Sequence, residues 1–348
     1  MVEPVFTPVN LITGFLGSGK TTLLQRLLAD PALADTAVLI NELGEVGLDH
    51  HLLERIDDTM VLLQSGCLCC TIRGELSSAV RELHSRRERG EVPRFRRLVI
   101  ESTGLADPFP ILSTVQADPV LRHHFRLGNV ITTVDAVNGL AQLARQPENT
   151  KQVAVADRLV LTKTDLVAAP AADELVARLH RLNPSAPLWR AAEQPLDAPG
   201  LLAHDLFATA SRSESARRWF AAELAAGGTV APPTQVTRHD DGIQAFAVTF
   251  ERPVDWTLFG LWLTMLLNRH GERILRVKGI LNIPDSPTPV AIHGVQHLVH
   301  PPVHMSAWPD AGRGSRLIFI VDGLERRLVE RSLAAFLGLT PTALSPAA

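Results

Sequence analysis

Eight residues, Gly14-Phe15-Leu16-Gly17-Ser18-Gly19-Lys20-Thr21, constrain this chain more than any other stretch, because they satisfy G-x-x-x-x-G-K-[ST] at every fixed position. The apolar run Val9, Leu11, Ile12 before them reads as a strand, and Thr22 to Ala29 after them reads as a helix. Strand, glycine loop and helix in that order form a phosphate cradle. Gly14, Gly17 and Gly19 let backbone N–H groups turn toward a polyphosphate, and the helix N-terminus adds positive potential where the anion sits. Lys20 is placed to reach the β- and γ-phosphates, and the Thr21 hydroxyl to ligate Mg²⁺, with Ser18 and Thr22 completing the candidate nucleotide-binding loop. The alternative, a glycine-rich turn with no ligand, leaves the match at all the fixed positions unexplained.

A chain of 348 residues with 46% hydrophobic content is long enough for two cores. Its 34 basic and 37 acidic residues leave a net charge of −3, so no global field draws nucleic acid or an anionic membrane. No apolar run approaches the ~20 residues of a membrane span. The Met1-Val2-Glu3-Pro4 start has no basic region followed by a hydrophobic one. The expectation is a cytoplasmic protein with neither nucleic acid nor membrane as partner. Of its four lysines, Lys20 and Lys163 fall in nucleotide motifs, where a slim ammonium fits and a planar guanidinium fits poorly.

Further along, each short apolar run delivers a polar loop. Thr36 to Ile40 leads into Asn41-Glu42-Leu43-Gly44-Glu45-Val46-Gly47-Leu48-Asp49-His50-His51. Glu42 there is a candidate for Mg²⁺, for the attacking water or for a second metal, the plain alternative being a solvated acidic loop. Met60 to Gln64 leads into Ser65-Gly66-Cys67-Leu68-Cys69-Cys70, which holds every cysteine in the chain. Neighbouring cysteines suit structural disulfides badly, leaving metal ligation, redox chemistry or burial. Three thiolates at the start of a helix from Ile72 can fill three corners of a tetrahedron, with Glu42, a loop histidine or water at the fourth. The arginines from Arg86 to Arg97 interleave with glutamates and read as a solvated helix end.

Leu98-Val99-Ile100 delivers Glu101, the acidic position expected to hold Mg²⁺, and Gly104, whose N–H can serve the γ-phosphate. After a strand at Val130 to Val134, Arg158 to Leu161 runs into Thr162-Lys163-Thr164-Asp165. Asp165 can accept two hydrogen bonds from guanine that adenine cannot supply, and the Lys163 stem can cover the base. If Asp165 is buried, adenine leaves it unpaired, which discriminates strongly. A charged turn is the alternative, and the position at a strand end argues against it.

Taken together, GFLGSGKTTLL, NELGEVGLD, GCLCC, ESTGLADP, TKTD, RVKGIL and HGVQH resemble the CobW-type metal-handling GTPases of the SIMBI class, from about Val9 to Gly338. These are a zinc-chaperone family related to the nickel-inserting GTPases of urease and hydrogenase maturation. The resemblance implies a P-loop α/β fold with a largely parallel doubly wound sheet and a small CobW-like C-terminal α+β domain. It further implies GTP hydrolysis with Mg²⁺ and delivery of Zn²⁺, or Co²⁺, to a client metalloprotein, a homodimer being admitted. Carried over, Lys20 and Thr21 match the phosphate loop, Glu101 the Mg²⁺ position, Thr162, Lys163 and Asp165 the guanine reader, and Cys67, Cys69 and Cys70 the metal site. Lys20, Glu42 and Glu101 are then the catalytic candidates. Thr162 stands where many GTPases carry Asn, implying fewer contacts and a reduced guanine affinity. A cobalt-handling GTPase linked to cobalamin synthesis and a non-enzymatic GTP-binding metal sensor remain as alternatives.

The expected division is a nucleotide domain over 1–208, a connection over 209–242 and a C-terminal domain over 243–340. The last reads as strand, helix, three strands, helix, with Pro289 to Val299 as one strand. In such a strand His293 and His297 lie ~13 Å apart, too far for one metal, so these two with His300 and His304 read as surface or interface histidines.

Overall fold

The computed structural model describes residues 6–42, 60–64, 72–193, 195, 197–203, 242–284, 286–309 and 312–338, with only the backbone course given at 41–42, 60–64, 72–73 and 203. The chain divides into two compact units. One comprises Met1–Gln142, Ala156–Ala172 and Leu188–Asp205, the other Leu143–Val155, Asp173–Pro187 and Leu206–Ala348.

The first unit is built on a parallel sheet of β1 (Thr7–Gly14), β2 (Thr36–Glu42), β3 (Met60–Gln64), β4 (Arg97–Glu101), β5 (Phe125–Asp135), β6 (Arg158–Thr162) and β7 (Leu188–Arg190). Their order across the sheet is β3-β2-β4-β1-β5-β6-β7. Strands of this kind are covered on both faces, which is why they read as continuous apolar runs rather than alternating ones. On one face Ile12, Val38, Ile40, Val99, Ile131 and Val160 join Leu23, Leu24 and Leu27 of α1 (Lys20–Leu28) in a single core. The alternate residues Leu11, Leu39, Leu98 and Ile100 are just as buried. Helices α2 (Ile72–Arg89) and α3 (Pro108–Ala117) pack on one another, and α3 also meets β5. Asp118 closes this layer. It caps the four-residue helix α4 (Leu121–His124) through the N–H groups of Val120 and Leu121 and is bound by Ser77 and Arg81 of α2. The fold class read from the sequence, a largely parallel doubly wound sheet, is the one found.

In chain order there follow α5 (Gly139–Arg145), α6 (Pro147–Val155), α7 (Ala169–Leu182) and α8 (Ala198–Ala203). The second unit carries α6 and most of α7. Its sheet is antiparallel: β8 (Ile243–Phe250), β9 (Ile274–Leu281), β10 (Val290–Val295), β11 (Leu298–Val299), β12 (Val303–His304) and β13 (Ser315–Asp322). Helices α9 (Trp256–His270) and α10 (Arg326–Leu337) cover one face, packing Phe259, Trp262, Val329 and Leu333 on Val277, Leu317 and Phe319. Arg276 of β9 is buried and donates to the Val155 carbonyl at the end of α6.

Here one expectation fails. Pro289 to Val299 is not one strand, because Gln296 takes φ +49° and turns the chain, so β11 runs back along β10. His300 thereby returns to His293, its N–H donating to the His293 carbonyl and the two rings stacking at 4.2 Å between centroids. Both are buried, while His297 and His304 are exposed, so a surface role fits only the latter two. Among the described residues, no helix is long and apolar enough to cross a membrane.

Candidate nucleotide site

Because the sheet is parallel, its carboxyl ends share one edge. Gly14, Glu42, Gln64, Glu101, Asp135 and Thr162 all end strands there. The candidate phosphate-binding residues follow directly from β1. Gly14 has φ +139°, and a Cβ there would lie 2.4 Å from both the carbonyl oxygen and Oγ1 of Thr133. Gly17 and Gly19 also have positive φ, at 72° and 88°, conformations that cost glycine nothing. Buried Ser18 is fixed by a 2.6 Å hydroxyl contact to Thr133. Lys20 Nζ donates to the carbonyls of Gly14 and Phe15 at 3.0 and 3.2 Å, and Thr22 is exposed on the first turn of α1.

The two Mg²⁺ candidates, Thr21 and Glu101, meet in the structure. Thr21 Oγ1 donates to Glu101 Oε1 at 2.7 Å, and Glu101 is 3% exposed. Adjacent oxygens around octahedral Mg²⁺ stand about 3 Å apart, so this pair of hard oxygens fits the ion with little adjustment. Gly104 is pressed against the loop, since a Cβ there would meet the Leu16 nitrogen at 2.6 Å. Glu42 ends β2, two residues beyond Ile40, which pairs with Glu101. Glu42 itself pairs with Gln64. Gln64, the last described residue before Cys67, Cys69 and Cys70 in the sequence, therefore lies beside Glu42. The three cysteines, and residues 43–59 of the acidic loop, lie outside the described residues.

At the other flank Thr162 has more work than the sequence implied. Its hydroxyl lies 2.8 Å from the Ser18 carbonyl and 3.1 Å from that of Val134, and its methyl faces Gly19. It thus ties the end of β6 to the glycine-rich loop. Lys163 adopts φ 57° and donates to the Gly17 carbonyl and to Asp135 Oδ2, both at 2.8 Å. Asp165 sits in a short 3₁₀ turn, Thr164–Leu166, and is exposed rather than buried. Selection of guanine there would depend on the base covering the carboxylate. Asp135 was missed in the sequence although the signal, an acidic residue closing an apolar strand, is the one that picked out Glu101.

The family model for the CobW/HypB/UreG nucleotide-binding domain matches residues 8–190. The chain belongs to this CobW family. The model for the CobW C-terminal domain matches residues 243–337. Zinc chaperone YjiA of Escherichia coli (strain K12) is 34% identical over 331 residues, covering 95% of this chain and 98% of that one. Zinc chaperone CobW of Pseudomonas aeruginosa is 29% identical over 94% of this chain and 90% of its own. Zinc-regulated GTPase metalloprotein activator 1 of Schizosaccharomyces pombe is 33% identical over 52% of this chain and 44% of its own. Among solved structures, Zn(II)-bound YjiA GTPase from E. coli superposes with a TM-score of 0.68 at 28% identity, covering 95% of this chain and 99% of that one. This CobW-family chain thus resembles YjiA and the Pseudomonas aeruginosa CobW over nearly its whole length.

Proposed function

We propose that this chain is a GTP-hydrolysing metallochaperone that delivers a divalent metal, zinc before cobalt, to client metalloproteins. What carries the reading is convergence: the phosphate loop, the Thr21–Glu101 pair and the Thr162-Lys163-Thr164-Asp165 turn share one sheet edge, in a chain that aligns nearly end to end with a zinc chaperone. Gly14, Gly17, Ser18, Gly19, Lys20, Thr21 and Thr22 would cradle the phosphates, with Gly104 at the γ-phosphate. Thr21 and Glu101 would hold Mg²⁺, which when bound offsets charge developing on the phosphate oxygens. Lys20 would neutralise the β/γ bridge, and Lys163 and Asp165 would read guanine. Glu42 would orient the attacking water or take the fourth position of a metal held by Cys67, Cys69 and Cys70, whose segment leaves β3 beside it. Thiolate-rich tetrahedral ligation suits zinc, and the relatives' names favour it over cobalt. Hydrolysis would then release the metal by changing what Glu42 binds.

The same reading assigns the nucleotide domain to 1–208, the connection to 209–242 and the C-terminal domain to 243–340, and places the protein in the cytoplasm without nucleic-acid or membrane partners. A homodimer is compatible with it. The test is metal analysis of the purified chain with and without a nonhydrolysable GTP analogue, beside the Cys69→Ala variant. The expected result is one zinc per chain whose retention depends on the nucleotide, lost in Cys69→Ala while GTP still binds. Undiminished zinc in that variant would overturn the metal site, and zinc retention indifferent to nucleotide would overturn the coupling.

A further inference from the structure

No nucleotide motif contains Asp135, yet it is the last residue of β5 and its side chain is only 2% exposed. Its Oδ1 accepts from the N–H of Val137 at 2.8 Å and of Asn138 at 3.4 Å. Its Oδ2 accepts from Asn138 Nδ2 at 3.0 Å and from Lys163 Nζ at 2.8 Å. The Lys163 side chain is 36% exposed, and its ammonium also reaches Gly17 of the phosphate loop. Lys163 holds a left-handed backbone at φ 57°, ψ 29°, which a side-chain-bearing residue keeps only when its neighbours impose it. Burial alone would push the Asp135 carboxyl up. The hydrogen bonds from Lys163, Asn138 and Val137 outweigh it and hold the group below the usual carboxylate range. The carboxylate is fixed from three sides by its own turn, so the mobile partner is the lysine.

We propose that Asp135 is a positioning residue for guanine-nucleotide binding. It anchors the Lys163 ammonium, which lays the lysine stem out as a platform for the purine and clasps the phosphate loop at Gly17. The inference rests on the GTP-binding reading above and deepens it. Because the tie touches the base side and a loop carbonyl, and no group that changes during hydrolysis, it should strengthen GDP and GTP binding equally. Its loss should appear in KM and leave kcat nearly untouched.

The test uses the full chain, a fluorescent GDP analogue and GTP. Asp135→Asn should release the GDP analogue about tenfold faster and raise the KM for GTP by the same factor, with kcat within about twofold. Lys163→Met should weaken binding similarly, and the double variant should be no worse than Lys163→Met alone. Such non-additivity arises when one residue acts only through the other. Urea unfolding of each variant separates this from loss of fold. Should Asp135→Asn fold poorly, Asn138→Ala loosens the same carboxylate and should speed release by about twofold. Unchanged release in whichever of these variants folds, or losses that simply add, would overturn the proposal. A wild-type chain that binds no guanine nucleotide would instead overturn the functional reading beneath it.

Discussion

The two sheets of this protein bury ionisable residues in different places. In the parallel sheet the buried carboxylates Glu101 and Asp135 stand at strand ends, on the edge where the loops begin. In the antiparallel sheet Arg276, Lys278 and His293 are buried within strands, with His293 directly opposite Lys278 across the β9–β10 pair. A parallel sheet brings every strand's carboxyl end to one side, so residues distant in sequence gather without any register having to be tuned for them. An antiparallel sheet assembles its polar groups by register, which makes them part of the packing.

If that contrast is right, the largest effect in the molecule should come from one methyl at the end of β1. Gly14→Ala combines a φ of +139° with a Cβ 2.4 Å from a backbone oxygen of β5. Backbone strain and overpacking together should cost about 3 kcal/mol. The loop would also turn away from its phosphate-binding path, so GTP affinity should fall by at least about a hundredfold, a tenfold loss being about 1.4 kcal/mol. Denaturant unfolding and nucleotide titration read both quantities. Affinity kept within threefold would mean that the strand end does not set the loop.

Asp118 tests whether the first unit's scaffold is electrostatic away from that edge. Burial pushes its carboxyl up, but Arg81, Ser77 and the N–H groups of Leu121 and Val120 together hold it well below the usual carboxylate range. A carboxylate with a depressed native pKa stabilises fully above its unfolded value near 3.9 and loses that contribution as pH falls through the native value. Asp118→Asn should therefore cost about 2 kcal/mol at pH 7. The penalty should shrink on acidification below about pH 4. A penalty independent of pH between 7 and 3 would assign Asp118 a purely steric role.

How much of this was legible follows the same division. The phosphate loop and the Thr162 to Asp165 turn are each contiguous in sequence, and the strands before them are largely apolar, so the first sheet could be read nearly strand by strand. Asp135 belongs to no motif, and its significance comes from a contact 28 positions away. The exposure of Asp165 depends on how a 3₁₀ turn closes, which four letters do not encode. In the second unit, the β10–β11 turn rests on Gln296 at a φ that glycine usually supplies, so nothing in the sequence announced it. His293 and His300 accordingly read as surface residues and proved to be a buried stack. If that stack serves packing alone, His300→Ala should lower stability by about 1.5 kcal/mol. GTP affinity should stay within twofold, and a larger change would give the second sheet a part in nucleotide binding.

The smallest expected effect compares two helix starts. Helix α9 begins with Asp255, whose carboxylate accepts from the Leu258 N–H at 2.8 Å, satisfying one of the donors that open every helix. Helix α1 begins after Gly19, in the left-handed region and with no side-chain cap. A carboxylate at that position would compete with phosphate for the same N–H groups, so a nucleotide-binding helix must forgo the cap that a packing helix gains from. Asp255→Ala should thus cost about 1 kcal/mol of stability and leave nucleotide binding unchanged. Adding GTP with Mg²⁺ should raise the unfolding midpoint of wild type and variant by equal amounts. Unequal shifts would mean that the two helix starts are not independent, and the contrast between a site edge and a packing edge would no longer hold.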